Sequence, residues 1–210
     1  YGGKLGINMD RLEKAILSTI HSIPGLGNRS LWKIIDEFGS FQKFFEADRK
    51  TLYASFLKPE IIDNLLEKRQ NSPEILMEEY RSLDIEIVTW DESLYPHNLR
   101  NISNPPVVLY YRGDIELAGH ICLAVVGSRA ASVYGRNVAR KLARELVEAG
   151  IVIVSGLARG IDSEAHQGAL EAGKTIAVLG SALNVIYPPE NRKLFEKITA
   201  GGAVISEFPL

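Results

Sequence analysis

The chain has 210 residues, 46% hydrophobic and 24% charged, the balance of a globular protein with room for one large domain or a medium domain and a small satellite. Its net charge is −2, so any attraction to nucleic acid must come from basic residues gathered on one face and not from the total. No apolar run approaches the roughly 18 residues of a bilayer span, and the first apolar stretch, Ala15 to Ile23, is broken by Ser18, His21 and Ser22, so neither a membrane span nor a secretory signal is expected.

Residues 1–8 show no periodicity and read as a remnant ahead of a native start at Met9. Residues 9–81 have helical spacing. Leu12, Ile16 and Ile20 mark one face of a helix ending at Ile23-Pro24, and Asn28 is placed as the cap of a second, with Leu31, Ile34, Ile35 and Phe38 inward and Gly39 as its stop. Shorter helices are expected over Phe41–Glu46 and Thr51–Phe56. Pro59 and Pro73 open two more, with Ile62, Leu65 and Leu66, then Ile75, Leu76 and Tyr80, as inward positions. Between the first two helices, Ile23-Pro24-Gly25-Leu26-Gly27 resembles a helix-hairpin-helix turn, whose backbone N–H groups can hold a phosphate. The alternative is a packing turn in a module of the sterile-alpha-motif (SAM) kind, which the scarcity of nearby cations, Arg29 and Lys33, favours.

From residue 82 the pattern changes. Ile85 to Val88 alternates like a strand, Tyr95-Pro96 to Pro105-Pro106 reads as an irregular connector, and Val107 to Tyr111 is a further strand. Apolar strands over Cys122–Val126, Ile151–Val154, Thr175–Leu179 and Ala203–Ile205 then alternate with helices over Gly135–Ala149, Ile161–Ala172 and Pro189–Thr199. On the first of these helices Val138, Leu142 and Leu146 share a face apart from Arg136, Arg140 and Arg144. Such alternation predicts an α/β fold, a Rossmann-like parallel sheet covered on both sides, carrying the small all-helical segment at its N-terminus. The lone Cys122 sits in an apolar run and reads as a small core residue in a reducing, cytoplasmic setting.

In an open parallel sheet, ligands bind beyond the carboxyl ends of the strands. Three loops fall there: Val126 to Ala130, Ser155 to Asp162 and Gly180 to Pro188. Glycine lets backbone N–H groups approach an anion, serine adds a hydroxyl, arginine adds a fork matched to phosphate oxygens, and a following helix N-terminus adds about half a positive charge. Gly127, Ser128 and Arg129 supply these within three residues, and Ser155, Gly156, Arg159 and Gly160 supply them again. The chemistry is phosphate binding, not phosphate cleavage. Asp162 reads as a dipole partner of its helix, and His166 as a hydrogen-bonded core residue.

The first loop lacks the second and third glycines of a dinucleotide fingerprint, no acid ends the next strand, and GxxxxGK[ST] is absent, so dinucleotide and nucleoside-triphosphate cofactors are not expected. Four scattered histidines and one cysteine give no metal-ligand spacing, and there is no G-x-S-x-G elbow for covalent catalysis.

At these loops the sequence resembles the DNA-processing protein A (DprA, or Smf) family. The resemblance rests on Ala124 to Arg129, Ser132-Val133-Tyr134-Gly135, SGLARGIDSEAH from Ser155 to His166, GKTIAVLGSALNVIYPPENRKL from Gly173 to Leu194, and Ile205 to Pro209. Tyr95-Pro96, Pro105 to Tyr110 and Arg112-Gly113-Asp114 fit the segment leading in. It implies an extended Rossmann fold over residues 82–210, C-terminally truncated, that binds and protects single-stranded DNA, dimerises and helps load the RecA recombinase. It carries phosphate contact to Gly127, Ser128 and Arg129, and nominates Arg192 and Lys193 as the basic residues near the Tyr-Pro segment. The family pattern continues into a basic FPxRNR-like motif and, in some members, a winged-helix tail, neither of which is in this sequence, so an incomplete pocket is expected.

The expectation is therefore a non-catalytic single-strand binder. The alternative is a nucleotide-binding or phosphoribohydrolase-type Rossmann enzyme, but the PGGxGTxxE loop of those hydrolases is unmatched: Gly201-Gly202 is followed by Ala203-Val204, with Glu207 only after the strand. A third possibility is an interaction scaffold in which the anion site is vestigial.

Overall fold

Capping side chains, prolines and glycines set most element boundaries in the computed structural model, which describes residues 9–210; the remnant reading of residues 1–8 lies outside them. Asp10 caps α1 (Arg11–His21), its carboxylate accepting from Glu13 N at 2.9 Å. α2 (Asn28–Phe38) stops at Gly39, which takes the left-handed conformation at φ 82°. Ser40 and Asp48 cap α3 (Phe41–Glu46) and α4 (Arg49–Tyr53), and the Asp48 cap sets α4 earlier than the expected Thr51–Phe56. α5 (Pro59–Lys68) and α6 (Pro73–Ser82) begin at their prolines.

Asn28 departs from expectation. It is the first residue of α2, with Gly27 in the cap position, and its amide serves another segment. Nδ2 donates to Pro105 O at 2.8 Å and Oδ1 accepts from Val107 N at 2.8 Å. One side chain thereby satisfies a carbonyl and an N–H of an extended stretch that has few ladder partners, a larger gain than one cap bond. Leu12 and Ile75 are exposed, while Ile16, Ile20, Leu31, Ile62, Leu65 and Tyr80 are buried. The helical segment has no core of its own, because the same apolar cluster runs on through Val108, Tyr110, Leu179 and Phe195.

The remaining elements are β1 (Glu86–Thr89), α7 (His97–Arg100), β2 (Val108–Gly113), β3 (Cys122–Ala124), α8 (Val133–Glu148), β4 (Val152–Ser155), α9 (Ile161–Ala172), β5 (Thr175–Leu179), α10 (Arg192–Gly201) and β6 (Ala203–Ser206). They form one six-stranded sheet in the order β1-β2-β6-β5-β4-β3. β3 to β6 are mutually parallel, whereas β2 runs antiparallel to β6 and β1 antiparallel to β2. The fold is α/β with a mostly parallel sheet, as expected, plus an antiparallel edge pair. α8, α9 and α10 line one face. The other is covered in part by the turn Ile115–Gly119 and the connector bearing Trp90, Tyr95 and Leu99, not by a second helical layer, and Val178 stays exposed on it. α10 also starts later than expected, because Pro189–Asn191 forms a 3-10 turn first.

α8 packs differently from its leucine stripe. Ala139 and Ala143 are its buried residues, while Val138 and Leu142 stay 43% and 45% exposed. The cause lies in α9, which presents Ala165, Gly168 and Ala169. A Cβ on Gly168 would stand 2.0 Å from Arg140 O, so these two helices meet backbone to backbone and only small residues fit between them.

His166, buried in α9, lies 2.9 Å through Nδ1 from Thr175 Oγ1, whose own proton goes to Ile153 O. The ring proton is therefore assigned to Nδ1. Burial lowers its pKa to about 4, and the same cause lowers His21, 3.0 Å from the Tyr110 hydroxyl, to about 4. Both folded-state values lie below the unfolded 6.5, so the folded chain holds neutral rings that the unfolded chain protonates first. Their stabilisation is complete above about pH 6.5 and is lost as pH falls toward 4, on the order of 2–3 kcal/mol per ring. Urea unfolding between pH 7 and pH 4.5 should show this decline, and His166→Gln should reduce its slope. An unchanged slope in that variant would contradict the assignment.

Candidate functional site

The three loops meet at the carboxyl rim of the parallel strands, as their position after β3, β4 and β5 requires. Two glycines fix how closely the first two approach. A Cβ on Gly127 would lie 2.7 Å from Ile161 Cγ1, and one on Gly160 would lie 2.2 Å from Ser128 O. Gly160 also takes φ 79°, the left-handed region that favours glycine, and Ile161 N donates to Ser128 O at 3.3 Å. The Gly127-to-Ser128 turn is thus seated on the start of α9, with Arg129 carried over it.

The second loop is held from within. Ser155 is buried, its hydroxyl donating to Val125 O at 2.6 Å, so it ties β4 to the first loop and does not face the rim. Asp162 Oδ2 accepts from Gly156 N at 3.1 Å. Leu157 is a buried non-glycine residue at φ 57°, a strained conformation of the kind that clusters at functional sites. Asn191 holds it there: Nδ2 donates to Leu157 O and to Ser163 Oγ, each at 2.8 Å. The N-terminus of α9 is already answered by Asp162 and Glu164 in its first turn. α8 carries no acid in its first turn; Ser132 Oγ accepts from Gly135 N at 3.1 Å.

Between the loops lies a cavity of about 400 Å³ lined by Arg129, Gly156, Ala158, Arg159, Leu179, Gly180, Ser181, Tyr187 and Pro188. No carboxylate is among those lining residues. Arg129 is exposed, and among the described residues no acid lies within ion-pairing distance of its guanidinium. Arg159 shares the cavity but is bound by Glu190 at its rim, which raises the arginine's pKa and lowers the glutamate's. Ser128 is exposed beside Arg129, its hydroxyl accepting from Ala130 N at 3.1 Å.

The structure brings Arg129, Gly156 and Arg159 together in the cavity and places Gly127, Ser128 and Gly160 in the turn beneath. Neither Arg192 nor Lys193 lines this cavity, and Lys193 borders a separate groove of about 510 Å³ with Arg140, Gln167 and Glu190. Glu190 and Asn191 escaped the sequence reading, although both lie in the quoted Tyr187 to Leu194 stretch. Among the described residues no group of three or more His, Cys, Asp or Glu side chains could hold a metal ion, and no helix is long and apolar enough to cross a membrane.

A mostly parallel α/β sheet with glycine-built loops and arginines around a cavity at its carboxyl rim defines an open-sheet α/β protein with a cavity at the edge where that class takes its ligands. Residues 86–210 match the model of the family described as DNA recombination-mediator protein A, and the chain belongs to that family. It is 42% identical over 156 residues to Protein Smf of Synechocystis sp., covering 71% of this chain and 39% of that protein. It is 39% identical over 148 residues to the DNA processing protein DprA of Streptococcus pneumoniae, covering 65% and 52%. The chain thus spans about half or less of these relatives' length. The structure of the pneumococcal protein superposes with a TM-score of 0.71 at 32% identity, over 95% of this chain and 69% of that one. DNA processing protein A of Helicobacter pylori, whose structure was described for its single-stranded DNA binding mode, superposes with a TM-score of 0.54 at 33% identity, over 60% and 57%.

Asn191 answers two groups of a strained loop, so Asn191→Ala should cost about 1–3 kcal/mol by leaving the Leu157 carbonyl unpaired. Urea denaturation measures this. Wild-type stability in that variant would show that the loop holds itself.

Proposed function

We propose that this chain binds single-stranded DNA at the rim cavity through its phosphates, with little sequence preference and without catalysing a reaction on it. The observation that carries the reading is Arg129: an exposed, unpaired guanidinium beside a cavity with no lining carboxylate, on a turn whose backbone is fixed by Gly127 and Gly160. Such a group offers an anion a fixed two-pronged donor, and without a carboxylate in the lining there is no general base to carry a hydrolysis. Membership of a recombination-mediator family, and the Helicobacter pylori relative described for its single-stranded DNA binding, support a strand as the anion.

In this reading Gly127, Ser128 and Arg129 hold one phosphate, with Gly156, Arg159 and Gly160 framing it and Ser155 bracing the turn from below. Arg192 and Lys193 extend the basic surface outside the cavity. Residues 82–210 form the binding domain and residues 9–81 the helical module, a division of labour and not of core, since one apolar cluster spans both. The family resemblance extends the reading to a cytoplasmic homodimer that helps load the RecA recombinase.

Arg129→Ala should weaken binding of a short oligo-dT roughly ten-fold or more at low salt and flatten the slope of log K against log salt by about 0.7, the share of one phosphate contact on a single strand. Glu190→Gln should do the reverse by releasing Arg159, tightening binding and steepening the slope. Anisotropy titrations at two salt concentrations read both. Wild-type titrations for Arg129→Ala would remove the basis of this function.

A further inference from the structure

We infer that Tyr187 is a base-stacking platform: its ring receives the base of the nucleotide whose phosphate Arg129 holds. The inference rests on the strand-binding function proposed above and adds a residue that reads the base side of the ligand. Tyr187 lines the cavity together with Arg129 and Arg159 and is 64% exposed. A tyrosine ring carries a large apolar area whose exposure to water is unfavourable, so a free ring at the mouth of a binding cavity is a surface that gains by being covered.

Among the described residues no aromatic or cationic side chain lies over its ring. Its hydroxyl has no hydrogen-bond partner among the described residues, and its ring meets no other aromatic side chain. An arginine would be the obvious partner, because cations lie over rings at four places here: Lys33 on Phe56, Arg69 on Phe45, Arg100 on Tyr95 and Arg112 on Phe195. Neither cavity arginine does so on Tyr187. Arg159 is paired with Glu190 and is not stacked on the ring.

Tyr187 is also anchored from behind. Pro188, which follows it, is buried, and Ser181 Oγ donates to Val185 O at 2.9 Å within the same loop. Ser206 Oγ in turn donates to Ser181 O at 2.7 Å, tying the loop to β6. The ring is therefore carried on a fastened loop beside a fastened arginine, so phosphate and base can be met together without reordering either loop. Every base has a π-face, so this contact adds affinity and leaves sequence preference low.

The test compares wild type, Tyr187→Ala, Tyr187→Phe and Arg129→Ala on an oligo-dT and on an abasic tetrahydrofuran oligomer of equal length. Tyr187→Ala should lose about 5- to 150-fold on oligo-dT, the range of one stacked base, and bind the abasic strand like wild type. Tyr187→Phe should stay within about two-fold on both, since stacking needs the ring and not the hydroxyl. A Tyr187→Trp variant, read as a difference from wild type because Trp32 and Trp90 emit as well, should change emission with oligo-dT and not with the abasic strand. That readout still decides the matter if Tyr187→Ala fails to fold. Wild-type affinity of Tyr187→Ala for oligo-dT, an equal loss on both strands, or an unresponsive Tyr187→Trp would overturn the stacking role. If Arg129→Ala still binds weakly in that case, only the stacking inference falls; if Arg129→Ala binds like wild type, the proposed function falls with it.

Discussion

The rim depends on one contact: the backbone of the Ser128 turn rests on Gly160 with no room for a side chain between them. Where a Cβ on Gly160 would stand 2.2 Å from Ser128 O, no rotamer change could relieve the clash, because both partners are main chain. Gly127 is close-packed as well, but against a side chain: a Cβ there would lie 2.7 Å from Ile161 Cγ1. Interlocked backbones of this kind deform little, so the two loops move as one unit and Arg129 inherits its position from the start of α9. These glycines serve here first to fit the loops to one another: Gly160 brings backbone to backbone, Gly127 makes room for the Ile161 side chain and Gly156 for the Asp162 carboxylate.

Charge is then distributed around that fixed turn. With a net charge of −2, the chain must prevent its own acids from reaching the cavity. It does so by giving them other duties. Asp162 accepts from the Gly156 amide, Glu164 sits in the first turn of α9, and Glu190 is paired with Arg159. The last of these is a compromise, since it ties up one of the two cavity arginines. An exposed pair of this kind is worth little in stability, so in the proposed reading a phosphate at Arg159 would displace it at small cost.

The fold was largely legible because its signals are local. Apolar strands bounded by glycine and prolines at helix starts each act within a few residues, and β5 and α9, each with glycine close to both ends, fall on the expected residues. What escaped was long-range. The antiparallel placement of β2 is settled by its pairing with β6, far along the chain, and no periodicity within Val108–Gly113 reveals it. Asn28 looked like a cap because caps are the local use of asparagine, yet its partners lie in the connector before β2. On α8 the hydrophobic stripe pointed to Val138 and Leu142, whereas contact is set by the glycine and alanines of α9, which admit only Ala139 and Ala143. At the site, Arg129 was readable from its loop alone, but the duties of Glu190 and Asn191 depend on residues of the second loop some thirty positions earlier.

These long-range bonds brace the loops around the cavity, so the proposed binding would need little ordering. The Leu157 carbonyl, the Gly156 amide and the Ser155 hydroxyl are each answered inside the protein, so the strained loop is braced from within. Association is expensive when loops and side chains must be immobilised, and much less so when only two side chains remain to be settled. In the lining those two are Arg129 and Tyr187, whose polar groups have no hydrogen-bond or ion-pair partner among the described residues. A rigid frame with one free cation and one free ring suits a chain molecule that offers the same phosphate at every step and an aromatic face beside it. It suits a compact solute less, because such a ligand must draw its affinity from enclosure, which a rim site of this kind does not provide.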